Sequence, residues 1–99
     1  MTTVAASLRE RFLSRCLEDL QVVRRALEEP AFRKDSYFIH IVHRMAGAGG
    51  LFGYPRLTTL AQALDDALVN GYSHEISDIQ GLSDELLNMA EGRILPLED

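Results

Sequence analysis

The sequence of 99 residues contains one cysteine, no tryptophan and three prolines. With Cys16 as its single cysteine, the chain cannot form an intramolecular disulfide or a zinc site built on several cysteines. It also lacks a run of roughly 20 apolar residues, the length that spans a bilayer, so a membrane is not an expected partner. The N-terminus has neither the basic region nor the apolar run of a signal peptide, which predicts a cytoplasmic location.

Positive charge is in the minority, with 10 Lys and Arg against 15 Asp and Glu and a formal net charge of -5. An acidic surface repels a phosphate backbone, so nucleic acid is not an expected partner. The early arginines are nonetheless grouped. We interpret them as a solvated helix face that is paired with nearby carboxylates, rather than as a binding patch. The arginines are Arg9, Arg11, Arg15, Arg24 and Arg25, and the carboxylates are Glu10, Glu18 and Asp19.

Apolar residues recur at steps of three and four in four segments, and no segment alternates as a half-buried strand would. The first helix is expected from Val4 to Glu28, and the second from a cap at Asp35 or Ser36 to a break at Gly53-Tyr54-Pro55. The third is expected from Pro55 to Asn70-Gly71, and the fourth from a capping box at Ser77 to a stop at Pro96. Short connections favour antiparallel neighbours. The sequence therefore predicts an all-α, antiparallel up-and-down four-helix bundle, with residues 1–99 as a single domain.

A cluster of glycines interrupts the predicted second helix, in the run Met45–Gly50. Each glycine inside a helix costs about 1 kcal/mol relative to alanine, so a helix that keeps several of them needs a reason. Helical geometry places His43 about 140° from the centre of the apolar stripe, which predicts an exposed imidazole. Gly47 and Gly50 share its side of the helix, so bare backbone is expected beside the ring. Gly49 lies on the buried stripe and is expected to serve helix packing.

The residues alone leave several interpretations of this segment open. A phosphate-binding P-loop needs Lys and Ser or Thr after its last glycine. Here Gly53 is followed by Tyr54-Pro55, so the segment does not match the motif of an ATP-binding loop. A metal site could use His40 and His43, but the pattern supplies no further ligands. A neutral imidazole can attack phosphorus without a separate base, because histidine is mostly unprotonated at pH 7. On spacing alone, His43 could also be an ordinary surface histidine beside glycines that allow close packing.

The run from His43 to Gly53, continuing through Pro55 and a leucine-rich stretch to Asp65, resembles the signature of histidine-containing phosphotransfer (HPt) domains. In that signature a histidine is followed by an apolar residue, a glycine, small residues, a second glycine and a leucine-rich helix. The resemblance implies an HPt-like bundle that carries phosphate in a two-component phosphorelay. It also implies no cofactor of its own and no ATP site, so the chain would not be an autonomous kinase. Whether it counts as an enzyme stays open.

The resemblance assigns roles to particular residues. His43 would be the phosphoacceptor, through its Nε2 atom. Gly47 would leave room for the incoming partner, Gly50 would shape the same surface, and Asp65 would orient the imidazole through a hydrogen bond. Ile39 and His40 would border the docking surface.

One departure from the family pattern concerns charge. Many members carry lysine three residues after the histidine, where this chain has Ala46. Arg44 and Arg56 are the candidates for a compensating cation near the phosphoryl group.

The implied partners are receiver domains of response regulators, which would supply Mg²⁺, and a sensor histidine kinase, hybrid or separate. The alternative is an HPt-like adaptor that binds a receiver or kinase without carrying phosphate.

Overall fold

The structure is a computed structural model that describes residues 3–71 and 76–97, with side chains from residue 8 onward. The described residues form four α-helices and no strand, which confirms the predicted all-α bundle. α1 packs against α4, α2 packs against α3, and α3 also contacts α4. The helices are α1 (Thr3–Glu28), α2 (Ser36–Ala48), α3 (Pro55–Asn70) and α4 (Ile76–Ala90), with short 3-10 turns at Pro30–Lys34 and Gly50–Phe52.

Local chemistry sets several helix boundaries where the sequence predicts them. Asp35 caps α2, because its carboxylate accepts a hydrogen bond from the Tyr37 N–H at 2.8 Å. Pro55 occupies the first turn of α3, where its missing N–H costs nothing. Gly71 follows α3 with φ 73°, a left-handed conformation that glycine adopts without strain.

The predicted extent of α2 was wrong. The helix stops at Ala48, so the glycines lie in its last turn and just beyond it, and not in its middle. Gly53, with φ 91°, ends the following 3-10 turn instead of α2 itself. The physical reason is that adjacent glycines contribute little helix stability. The carbonyl of Gly49 instead accepts a hydrogen bond from the Tyr54 N–H at 2.8 Å.

Both predicted ends of α4 were also wrong. The helix begins at Ile76, so Ser77 lies within its first turn and is not the N-cap. It ends at Ala90, well before Pro96, because Gly92 adopts φ 75° and turns the chain back. The Leu97 N–H then donates to the Gly53 carbonyl at 2.8 Å, which fastens this segment to the connection between α2 and α3.

The buried side chains form one hydrophobic cluster to which all four helices contribute. Cys16 belongs to this cluster, and burial, reinforced by the nearby Asp19 carboxylate, raises the pKa of its thiol to about 12. A thiol with that pKa is an unreactive core residue, as the apolar stripe indicates. Within residues 3–71 and 76–97, no helix combines the length and apolar character needed to cross a membrane. The largest fully buried side chains include Val23, Phe38, Ile41, Met45, Leu57, Leu64, Ile79, Leu82 and Leu86.

Candidate functional site

His43 lies on the solvent-facing side of α2. Its neighbours Val42 and Met45 are fully buried, whereas the His43 side chain is 72% exposed. This difference follows from helical geometry, which turns consecutive residues to different sides of the helix. The predicted exposure of the imidazole is therefore present in the structure.

Asp65 of α3 holds one edge of the imidazole. Its Oδ2 lies 2.9 Å from His43 Nδ1, and its side chain is only 14% exposed. An ionised carboxylate can only accept a hydrogen bond, so in the neutral form of the imidazole this contact places the hydrogen on Nδ1 and leaves the lone pair on Nε2. No described residue forms a hydrogen bond with Nε2. The more deeply buried Asp65 Oδ1 also has no hydrogen-bond partner among the described residues.

The three glycines of the run have different surroundings. A Cβ added to Gly47 would meet no heavy atom within 4 Å, so this position faces open space. A Cβ on Gly49 would lie 2.9 Å from the Thr58 backbone nitrogen, and glycine there allows α2 and α3 to pack closely, as predicted. At Gly50 the nearest atom would be Thr58 Oγ1 at 3.6 Å, and this hydroxyl already accepts a hydrogen bond from the Gly50 N–H. Gly47 is therefore the open position beside His43.

The residues that flank the imidazole form a mixed surface. His40, one turn before His43, is exposed, and Ile39 is half-buried. Sequence reasoning missed two exposed apolar residues, one in the turn after α2 and one on α3. Leu51 directly follows Gly50 and is 81% exposed, and the exposed Val69 lies one turn beyond Asp65 on α3. The signal that could have found Leu51 is a large apolar residue placed among glycines outside the buried stripe.

The structure does not bring the predicted compensating charges to His43. The Arg44 guanidinium lies 2.6 and 2.5 Å from the two carboxylate oxygens of buried Asp19 on α1. Arg56 pairs instead with buried Glu85 of α4, with Nε 3.2 Å from Oε1. Both guanidinium groups are thus engaged elsewhere. In the described part of the chain, no lysine or arginine pairs with His43 or Asp65.

Ala46 lies in the core and not on the docking surface, since it is only 7% exposed. Both α1 and α3 pack against α2, so the buried face of α2 is wider than the apolar stripe in the sequence indicates, and it includes Ala46.

A metal centre on His40 and His43 lacks support from the surrounding side chains. Among residues 3–71 and 76–97, no group of three or more His, Cys, Asp or Glu side chains is arranged to hold a metal ion. Asp65 is the carboxylate that meets His43, and His40 has no such partner among those residues. The pair of histidines on α2 therefore does not extend to a full ligand set there.

Comparison with known protein families gives a match over most of the chain. The model of the Hpt domain matches residues 7–92, a range that extends from α1 to just past the end of α4. Searches of curated proteins and of solved structures found no significant match. Hpt domains act in phosphotransfer in two-component signalling, where they interact with response-regulator receivers and kinases. Because the match covers most of the chain, this protein belongs to the Hpt domain family.

Proposed function

We propose that this chain is a phosphocarrier. Its His43 Nε2 accepts a phosphoryl group from a phosphoaspartate of one receiver domain and later passes it to an aspartate of another receiver domain. One observation carries the proposal. The imidazole is 72% exposed, and Asp65 binds its Nδ1 edge, so Nε2 is left free with its lone pair. A neutral, oriented and accessible imidazole is the nucleophile that this transfer requires.

The chemistry of the step uses few groups of this chain. The Nε2 lone pair forms a bond to phosphorus, the bond between phosphorus and the receiver's aspartyl oxygen breaks, and the aspartate leaves as a carboxylate. The proton stays on Nδ1, and the positive charge that develops on the ring lies beside the Asp65 carboxylate, 2.9 Å away. Phosphoryl transfer otherwise depends on positioning and on charge stabilisation, for which the receiver would bring Mg²⁺.

The same geometry supports a docking surface around His43. Gly47 offers open space beside the imidazole, and the exposed Leu51 and Val69 offer apolar contacts. A patch of this kind suits a small, transient interface. The proposed partners are receiver domains and a sensor histidine kinase, hybrid or separate, and a relay with them implies a cytoplasmic location.

A non-catalytic adaptor is the second candidate function, and one observation favours it. Ala46 is buried, and Arg44 and Arg56 are paired with carboxylates, so none of these three positions supplies an unpaired cation for the phosphoryl charge. Such an adaptor would bind a receiver or kinase and remain unphosphorylated.

Incubation with receivers that carry labelled phosphoaspartate separates the two functions. We expect acid-labile, alkali-stable label to appear on this chain while the receiver loses an equal amount. Labelled ATP alone should give no label, because the phosphocarrier proposal includes no kinase activity. Stable complex formation with several active receivers, without any transfer, would instead establish the adaptor.

Replacing Asp65 with asparagine should slow the transfer without removing the acceptor. An asparagine amide can donate as well as accept, so it no longer fixes the hydrogen on Nδ1. By analogy with carboxylates that orient metal-bound histidines, we expect a loss of about tenfold to a hundredfold in the single-turnover transfer rate. Asp66→Asn, at the exposed neighbouring position, is the matched control. Equal rates for the two variants would show that Asp65 does not orient the ring.

A further inference from the structure

A second candidate site is a cavity of about 300 Å³ between α1 and α2. His43 and Asp65 do not line it. The rings of Phe12 and Phe52 stack there with their centroids 4.5 Å apart, and both are half-buried. Met45 lines the cavity from the core, and Leu8 leaves about half of its surface exposed. The cavity is thus an apolar recess that remains accessible to solvent.

Arginines also line this recess. The sequence pattern predicts that Arg11 and Arg15 pair with nearby acidic residues, but among the described residues neither guanidinium group forms an ion pair. Asp19 also lines the cavity, but its carboxylate is bound by Arg44, which lines the cavity too. Glu10 and Glu18 share a neighbouring surface depression with both arginines, but neither carboxylate lies within ion-pair distance of Arg11 or Arg15. Among the described residues, these two guanidinium groups therefore have no carboxylate partner, although the chain as a whole is acidic.

We infer that this cavity binds a small amphipathic carboxylate, with its apolar chain against Phe12 and Phe52 and its carboxylate on Arg11 and Arg15. The volume is at the lower end of the range for small-molecule sites, which suits a single short chain. Guanidinium groups bind carboxylates through charge-assisted hydrogen bonds, whereas a cationic head group would be repelled. The site is separate from His43, so its occupancy does not depend on the proposed phosphoacceptor role.

Titration with octanoate, followed by nuclear magnetic resonance, tests this inference. We expect saturable shifts of the Met45 methyl and Ala48 amide signals, because both residues line the cavity. Octanol and octyltrimethylammonium carry the same alkyl chain without the negative charge, and they should bind at least about tenfold more weakly. Equal binding of all three would overturn the assignment of a carboxylate site, and shifts that never saturate would overturn the site itself.

Variants of the lining residues identify where octanoate binds. The double variant Arg11→Gln and Arg15→Gln should weaken binding about tenfold, because it removes both charged donors. Arg24→Gln is the matched control, since Arg24 is an exposed arginine of α1 outside the cavity. Ala48→Leu should abolish binding by filling the recess, and its thermal unfolding would show whether it folds. An equal loss in Arg24→Gln, or full binding by the double variant, would overturn the proposal whatever the outcome for Ala48→Leu.

Discussion

Replacing His43 with glutamine should leave a folded chain that accepts no label from a phosphorylated receiver. A glutamine amide nitrogen is not nucleophilic, because its lone pair is delocalised, so the proposed bond to phosphorus cannot form. The side chain is 72% exposed, and surface substitutions away from special features change stability by about 0.5 kcal/mol or less. Even with the loss of the Asp65 contact, the helical circular dichroism spectrum should be retained.

His40→Gln is the matched control for this variant. His40 lies one turn earlier on the same helix and is also exposed. We expect it to accept label at nearly the wild-type rate, measured with the same receiver and the same quench time. If His43→Gln still becomes labelled, or if His40→Gln is the variant that fails, the acceptor is not His43.

Gly47→Leu is the second variant for which we expect a large effect, and it should separate stability from activity. A Cβ at this position would meet no heavy atom of the described residues within 4 Å, and glycine is a poor helix former, so the variant should gain up to about 1 kcal/mol in free energy of unfolding. The same side chain would project into the space that the receiver needs. Because misplacement by about 1 Å can cost a hundredfold, we expect the transfer rate to fall by at least about that factor.

The control for Gly47→Leu places the same side chain where no partner is expected. Ala63 is an exposed residue of α3 about 200° around the helix from Asp65. Ala63→Leu should transfer phosphate normally, and Gly47→Ala should fall between the wild type and Gly47→Leu. Denaturant unfolding and single-turnover transfer measure the two effects. Normal transfer by Gly47→Leu would show that the receiver does not approach over this position.

Most of the fold could be predicted from local signals in the sequence. Apolar stripes define the four helices, and Asp35, Pro55 and Gly71 act within their own turns. The ends of α2 and α4 were harder to predict, because the local effect of Gly49, Gly50 and Gly92 combines with tertiary contacts in the segments that follow. The Thr58 hydroxyl of α3 accepts a hydrogen bond from the Gly50 N–H, and the Gly53 carbonyl accepts one from the N–H of Leu97, which is distant in the sequence.

The central pair of the candidate site could be predicted from the sequence, whereas the surroundings of that pair could not. Helical angles indicate that His43 is exposed, and the family resemblance directs attention to Asp65 at the position where the structure has it. The engagement of Arg44 with Asp19 was not predictable, since the two residues are 25 apart and on different helices. The burial of Ala46 was missed for a related reason, because a stripe read from one helix cannot show how its neighbours widen the buried face.

The most direct test of the account is to identify the phosphorylated atom in the native chain. Phosphorus nuclear magnetic resonance of the protein, labelled by a receiver and kept at alkaline pH, distinguishes the two isomers of phosphohistidine. Because Asp65 binds Nδ1, the account predicts one signal, from the Nε2 isomer, that maps to the peptide containing His43. A signal from the Nδ1 isomer, or phosphate on any other residue, would contradict it.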